Sequence, residues 1–262
     1  TTLFRSEDKP LYRLREIAAI LRGEGGCAWD RAQTSKSLKP YLIEEAYEAH
    51  EAIEKDDPAE LREELGDLLY QVYAHAQIAD EEGTFSIDDV AQGIIDKLIR
   101  RHPHVFGNET VMDQEQVTVN WEKIKRVEKS HRESILDGVP VHLPSLLKAY
   151  RVQQKVARVG FDWERIEDVE KKLEEEVGEF REALLSRDEE HMAEEIGDIL
   201  FTMVNLSRFM KINPEEALGR TIDKFMRRFR YIEKESDRTG RDLEQMSLEE
   251  MDLLWEKAKR ET

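Results

Sequence analysis

Five acidic residues, Glu44, Glu45, Glu48, Glu64 and Asp67, recur in the same order and at the same spacing as Glu175, Glu176, Glu179, Glu195 and Asp198. Each is displaced by half of the 262-residue chain. Residues three and four apart share one face of a helix, so Glu176 and Glu179 point together, as do Glu195 and Asp198. Two such helices side by side turn four carboxylates toward one point. Oxygen ligands on rigid helices suit a hard divalent cation, Mg2+ with Mn2+ as a substitute. Mg2+ commonly takes one or two protein carboxylates and completes its shell with water and substrate phosphates, so four carboxylates imply more than one ion. Glu45, Glu48, Glu64 and Asp67 form the matching set, a second candidate metal site in the first copy.

In a chain that is 37% charged, a string of glutamates is ordinarily a solvated helix face. Repetition argues otherwise, because the acids return at identical spacing while many residues between them differ. Like charges this close raise one another's pKa and cost stability unless a cation neutralises them. Basic residues supply a complement: Lys224 and Arg228 lie four apart with Arg227 adjoining, and Lys97, Arg100 and Arg101 are their first-copy equivalents. Such groups bind phosphate oxygens through charge-assisted hydrogen bonds, or simply pair with the abundant acids.

The elements that must carry these residues are helices. Leu42, Ala46, Ala49 and Ile53 recur at helical spacing, as do Leu173, Val177, Phe180 and Leu184, and no run alternates as a strand does. The fold class is therefore all-α, with core helices expected at 38–55, 58–82, 86–101 and 115–129, then 165–186, 188–211, 214–236 and 247–260. Further helices are expected at 10–22 and 145–158. Asp57-Pro58 and Asn213-Pro214 open helices with a cap and a first-turn proline, and Ser86 with Asp89 and Ser247 with Glu250 read as capping boxes. Glu195 borders the apolar stripe Met192, Ile196, Ile199 and Met203, and Trp163 reads as core. Two copies with a long period indicate a duplicated domain rather than a solenoid. Asp137-Gly138-Val139-Pro140 and Leu143-Pro144 break any helix, dividing the chain into 1–136 and 137–262.

Composition sets limits. A formal charge of −18 repels bare nucleic acid, and a phosphate-bearing partner would need cations as mediators. No apolar run approaches the ~20 residues of a membrane span. The charged opening from Thr1 to Pro10 lacks a secretory pattern and the single Cys27 excludes an internal disulfide, so the expected compartment is cytoplasmic. Cys27 aligns with Phe161, read as a packing position, and has no nucleophilic role.

Glu175-Glu176-x-x-Glu179, Glu195-Ile196-Gly197-Asp198, Lys224-Phe225-Met226-Arg227-Arg228 and Trp255 together resemble the MazG nucleoside triphosphate pyrophosphohydrolases, and the resemblance spans essentially the whole chain including its duplication. It implies tandem four-helix-bundle domains, usually dimeric, and Mg2+-dependent hydrolysis of nucleoside triphosphates to the monophosphate and pyrophosphate. It also implies broad base tolerance and a housecleaning role linked to stress. By the same resemblance Glu176, Glu179, Glu195 and Asp198 are metal ligands, and Lys172, Lys224, Arg228 and Trp255 hold the nucleotide. The resemblance also implies that the second copy is the catalytic one. Tyr41 stands where the second copy has Lys172, and His102-Pro103 ends the basic helix of the first copy early, so that copy is expected to be weak or structural.

The expected mechanism is attack of water on the α-phosphorus with pyrophosphate leaving, a cation lowering the pKa of the water. Either Glu175 or Glu176 serves as the base. A di-iron carboxylate bundle needs an ExxH pair on two helices, and only Glu128-x-x-His131 fits. The non-enzymatic alternative is a nucleotide-sensing or partner-binding helical dimer that keeps the metal site without turnover.

Overall fold

A computed structural model describes residues 9–107 and 133–261, with 113, 116, 117, 120, 121, 124 and 128 between them. Every element among these residues is helical, and the chain divides into two compact units, Thr1–Ser130 and His131–Thr262. The helix expected at 115–129 lies largely outside the described residues, as does His131.

The first unit contains α1 (Pro10–Arg22), α2 (Ala28–Ala32), α3 (Ser35–Glu54), α4 (Pro58–Glu81), α5 (Ile87–Arg101) and α6 (Pro103–Phe106). The second contains α7 (Ser145–Ala157), α8 (Ile166–Ser186), α9 (Glu189–Phe209), α10 (Pro214–Thr239), a 3-10 turn at Leu243–Gln245 and α11 (Leu248–Glu261). Cap chemistry sets these limits. Asp57 accepts from the amides of Ala59 and Glu60, Asn213 accepts from Glu215, and Ser86 with Asp89 forms a reciprocal capping box. Ser247 and Glu250 exchange the same pair of bonds. α3 begins earlier than expected because Thr34 and Ser37 form a further capping box, which leaves Pro40 inside the helix.

In each unit the centre is an antiparallel helix hairpin, α3 with α4 and α8 with α9. Both hairpins turn through a non-glycine residue in the left-handed region, Asp56 at φ 53° and Arg187 at φ 56°. These occupy equivalent positions in the repeat. A side chain there costs roughly 1–2 kcal/mol, and the tight turn it permits fixes the register in which the acids of the paired helices face one another.

The buried faces differ from those the apolar pattern suggests. In α3 the buried positions are Leu38, Ala49 and Ala52, while Ile53 is exposed; in α8 they are Val169, Glu176 and Ala183, while Leu184 is exposed. The glutamate therefore sits in the middle of the packed face of α8. Ile196 and Met203 are exposed, so the stripe on α9 is only partly covered within the unit. Trp163 is 44% exposed and Phe161 79% exposed, because both lie on the bend that precedes α8 and neither belongs to the core.

Candidate functional site

Carboxylate oxygens of Glu176, Glu179 and Glu195 all lie within 4.8 Å of one another. α8 contributes the first two, one turn apart, and α9 contributes the third across the hairpin. Glu176 is 5% exposed and Glu195 7%, whereas Glu179 faces solvent, which gives the trio a buried base and an open side. Burial pushes the Glu195 carboxyl above its ordinary value and Glu179 pushes it further; His191 opposes the rise, and Glu176 and Asp198 add smaller contributions to it. Glu195 Oε2 is buried without a hydrogen-bond partner. An orphaned carboxylate oxygen among converging acids is the donor set a hard cation needs, and the residues present fit Mg2+ or Mn2+.

Asp198 is exposed and lies outside this tight trio, although its charge acts on Glu195. His191 Nδ1 sits 3.4 Å from Glu195 Oε1 at the rim of the site. Lys172 reaches both acids on the next turn, with Nζ 2.5 Å from Glu175 and 2.8 Å from Glu176. These two partners raise the pKa of the lysine. Glu175 is exposed and adjoins the trio without joining it.

On α10 and α11, the Arg228 guanidinium carbon stands 5.6 Å from the centre of the Trp255 ring, and Phe225 packs 5.0 Å from the same ring. Arg228 Nε is buried without a partner and Lys224 is exposed. The structure thus joins Arg228 to Trp255 and Lys172 to the acids. Among the described residues, no hydrogen bond or ion pair links Lys224, Arg228 or Trp255 to the trio.

The first copy repeats the acidic geometry. Oxygens of Glu45, Glu48 and Glu64 also lie within 4.8 Å of one another, with Asp67 exposed outside the trio. Burial raises Glu45, with Gln71 opposing and Asp67 and Glu48 adding to the rise; burial also raises Glu64, reinforced by Glu48 and Asp67. The basic residues here are engaged elsewhere. Arg100 and Arg101 bind Glu128 at 2.6 and 2.5 Å and hold its carboxyl down to about 2. That pairing removes two of the first copy's candidate phosphate ligands, and it occupies the acid of the one ExxH pair.

Sequence reading passed over Gln71. It is 7% exposed and sits at a helix position where an apolar residue is expected, and its counterpart Thr202 is also buried. A polar residue recurring in a core register was the available signal.

Two helix hairpins, each converging three carboxylates, define a tandem helical protein with a candidate cation site in each copy. The MazG nucleotide pyrophosphohydrolase domain family matches residues 33–106 and again 165–232. Nucleoside triphosphate pyrophosphohydrolase/pyrophosphatase MazG of Thermotoga maritima is 47% identical over 94% of this chain and 94% of its own length. Nucleoside triphosphate pyrophosphohydrolase of Escherichia coli is 41% identical over 95% of this chain and 97% of its own length. YabN of Bacillus subtilis is 52% identical over 97% of this chain, which spans only 53% of that longer protein. A solved structure of a mazG-related protein from Thermotoga maritima aligns with 44% of this chain at 30% identity and a TM-score of 0.39, too loosely to transfer geometry. The chain belongs to the MazG family, and its full-length relatives place it among the nucleoside triphosphate pyrophosphohydrolases.

Proposed function

We propose that this chain hydrolyses nucleoside triphosphates to the monophosphate and pyrophosphate with Mg2+, that the second copy performs the reaction, and that the base is tolerated broadly in a nucleotide-pool housecleaning role linked to stress. The observation that carries the reading is the trio Glu176, Glu179 and Glu195, with a buried, unpartnered oxygen on Glu195. Those three residues would hold the cation, with Asp198 near enough to add its charge. When bound, Mg2+ withdraws charge from the phosphate oxygens and acidifies water.

The remaining roles fall to side chains around the trio. Glu175 is exposed beside it, paired with Lys172, and is the group we assign to take the proton of the attacking water, while Glu176 stays with the trio. Lys172 is held against the acids and meets the negative charge of an arriving phosphate chain. Arg228 and Lys224 on α10 bind phosphates, and Trp255 packs the base.

The homodimer is part of the proposal. Ile196, Leu200, Phe201, Ile222 and Phe225 are all exposed apolar side chains of the second unit. A second copy of the chain is the occupant we assign to them. No helix among the described residues is long and apolar enough to cross a membrane, and a cytoplasmic location is proposed with the rest.

Hydrolysis in labelled water tests the chemistry. Label in the monophosphate supports attack at the α-phosphorus, and label in pyrophosphate overturns it. Glu175→Gln should lower turnover at least about a hundredfold if it is the base.

A further inference from the structure

The bend between α5 and α6 carries two histidines, one on each side of Pro103. Proline disfavours helical geometry in the residue before it, and His102 leaves the helix at φ −122° and ψ 57°. Its amide still closes the last turn on the Ile99 carbonyl. α6 then closes on itself through the Gly107 amide and the Pro103 carbonyl, at a spot where a side chain on Gly107 would meet that same oxygen at 2.8 Å. The bend is thus held at both ends, and it sets the His102 and His104 rings 5.7 Å apart, centre to centre, tilted by 51°.

His102 Nδ1 lies 2.7 Å from the Leu98 carbonyl oxygen. A carbonyl only accepts, so Nδ1 carries the proton and, in the neutral imidazole, Nε2 keeps its lone pair. An N–H given to a backbone carbonyl, with the opposite nitrogen free, is the arrangement in which histidine ligates a metal. His104 spends neither ring nitrogen on a hydrogen bond among the described residues. Metal–nitrogen bonds of roughly 2.0–2.1 Å place the centres of two imidazoles on one ion about 4.5–6 Å apart, as the angle at the metal opens from about 90° to about 140°. The pair falls inside that range.

The surroundings admit a cation. Arg100 and Arg101 adjoin the pair in sequence, and both are bound to Glu128, whose carboxyl is held down to about 2. The carbonyl end of α5 favours positive charge. Imidazole nitrogen suits Zn2+, Ni2+ or Cu2+ rather than Mg2+, which separates this pair from the carboxylate trios. The second copy has Phe229 and Tyr231 at the matching places, inside the unbroken α10, so the pair is particular to the first copy.

We propose that His102 and His104 form a transition-metal site, with His102 binding through Nε2, Zn2+ as the ion taken, and water completing the shell. Bound there, the ion clamps α6 against the end of α5. It has no part in hydrolysis by the second copy.

Proton–nitrogen correlation NMR of the histidine rings tests this, with the full chain titrated with Zn2+ in excess Mg2+. The His102 and His104 rings should respond together, His102 keeping its proton on Nδ1, and Mg2+ alone should move neither. With His102→Gln or His104→Gln, the response of the remaining ring should shift to at least about tenfold higher Zn2+, the lower end of what even an outer-shell partner is worth. His104 bonds nothing in the fold, so its variant keeps the test open should His102→Gln unsettle the end of α5, which circular dichroism reports. Rings unmoved by Zn2+, or a response of each ring indifferent to loss of the other, overturns the site.

Discussion

Lys172 Nζ lies 2.8 Å from Glu176 Oε1, one helical turn along α8, and thereby neutralises the most buried acid of the second-copy trio. The first copy has Tyr41 at that place. Two sites with the same acids thus differ in local charge.

Lys172→Met should leave the acids of the second copy without the ion-pair partner of opposite charge one turn away. Lys172 is about a third exposed, so solvent screening limits the loss to about 1 kcal/mol without metal. Mg2+ should restore it, giving a larger metal-induced rise in Tm than the unaltered chain shows. Thermal unfolding with and without Mg2+ checks this.

Glu195 makes stability depend on pH. Its carboxyl holds a proton more tightly in the folded chain than the ordinary value of 4.5, chiefly through burial and then through Glu179. The contribution to stability is fully present below 4.5 and is lost as pH rises through the raised value, with no further change above it. Glu195→Gln should therefore be more stable than the unaltered chain above this window without metal, match it below, and gain less from Mg2+. Denaturant unfolding across pH 4–8 (about neutral to mildly acid) reads the difference.

Much of this arrangement was legible in the sequence, for identifiable reasons. Helix limits followed from caps such as Asp57-Pro58, Ser86 with Asp89 and Asn213-Pro214, whose side chains bond the first free amides. Three-and-four spacing on paired helices predicted four converging carboxylates per copy; three converge in each, and Asp67 and Asp198 stand outside. Other features depended on tertiary packing. An apolar count placed Glu195 at the edge of a core stripe, yet Glu176 and Glu195 are buried while Ile196 is exposed, because the hairpins pack through small residues such as Ala49 and Ala183. The pairing of Arg100 and Arg101 with Glu128 joins residues far apart in sequence and has no local pattern.

Glu128→Ala should destabilise the first unit by about 2 kcal/mol, between the values for exposed and buried pairs, since Arg101 and Glu128 are both largely buried. The carboxyl is held down to about 2, so its stabilisation is present above the ordinary carboxylate value and lost only as pH falls through that low value. Turnover by the second copy should be unchanged at temperatures where the variant is folded.

Trp255→Ala should raise KM about tenfold with kcat little altered, because a stacking contact made equally in ground and transition states is uniform binding. Arg228→Ala removes the cation over that ring and, if it also holds the reacting phosphates, lowers kcat as well. Steady-state kinetics with each variant separates the two roles.

The central claim is tested most directly by incubating the chain with Mg2+ and each common nucleoside triphosphate and resolving the products, alongside Glu176→Ala and Glu45→Ala. Monophosphate and pyrophosphate from the unaltered chain and from Glu45→Ala, with none from Glu176→Ala, is the predicted result. Binding without hydrolysis, or turnover lost with Glu45→Ala and kept with Glu176→Ala, would contradict it.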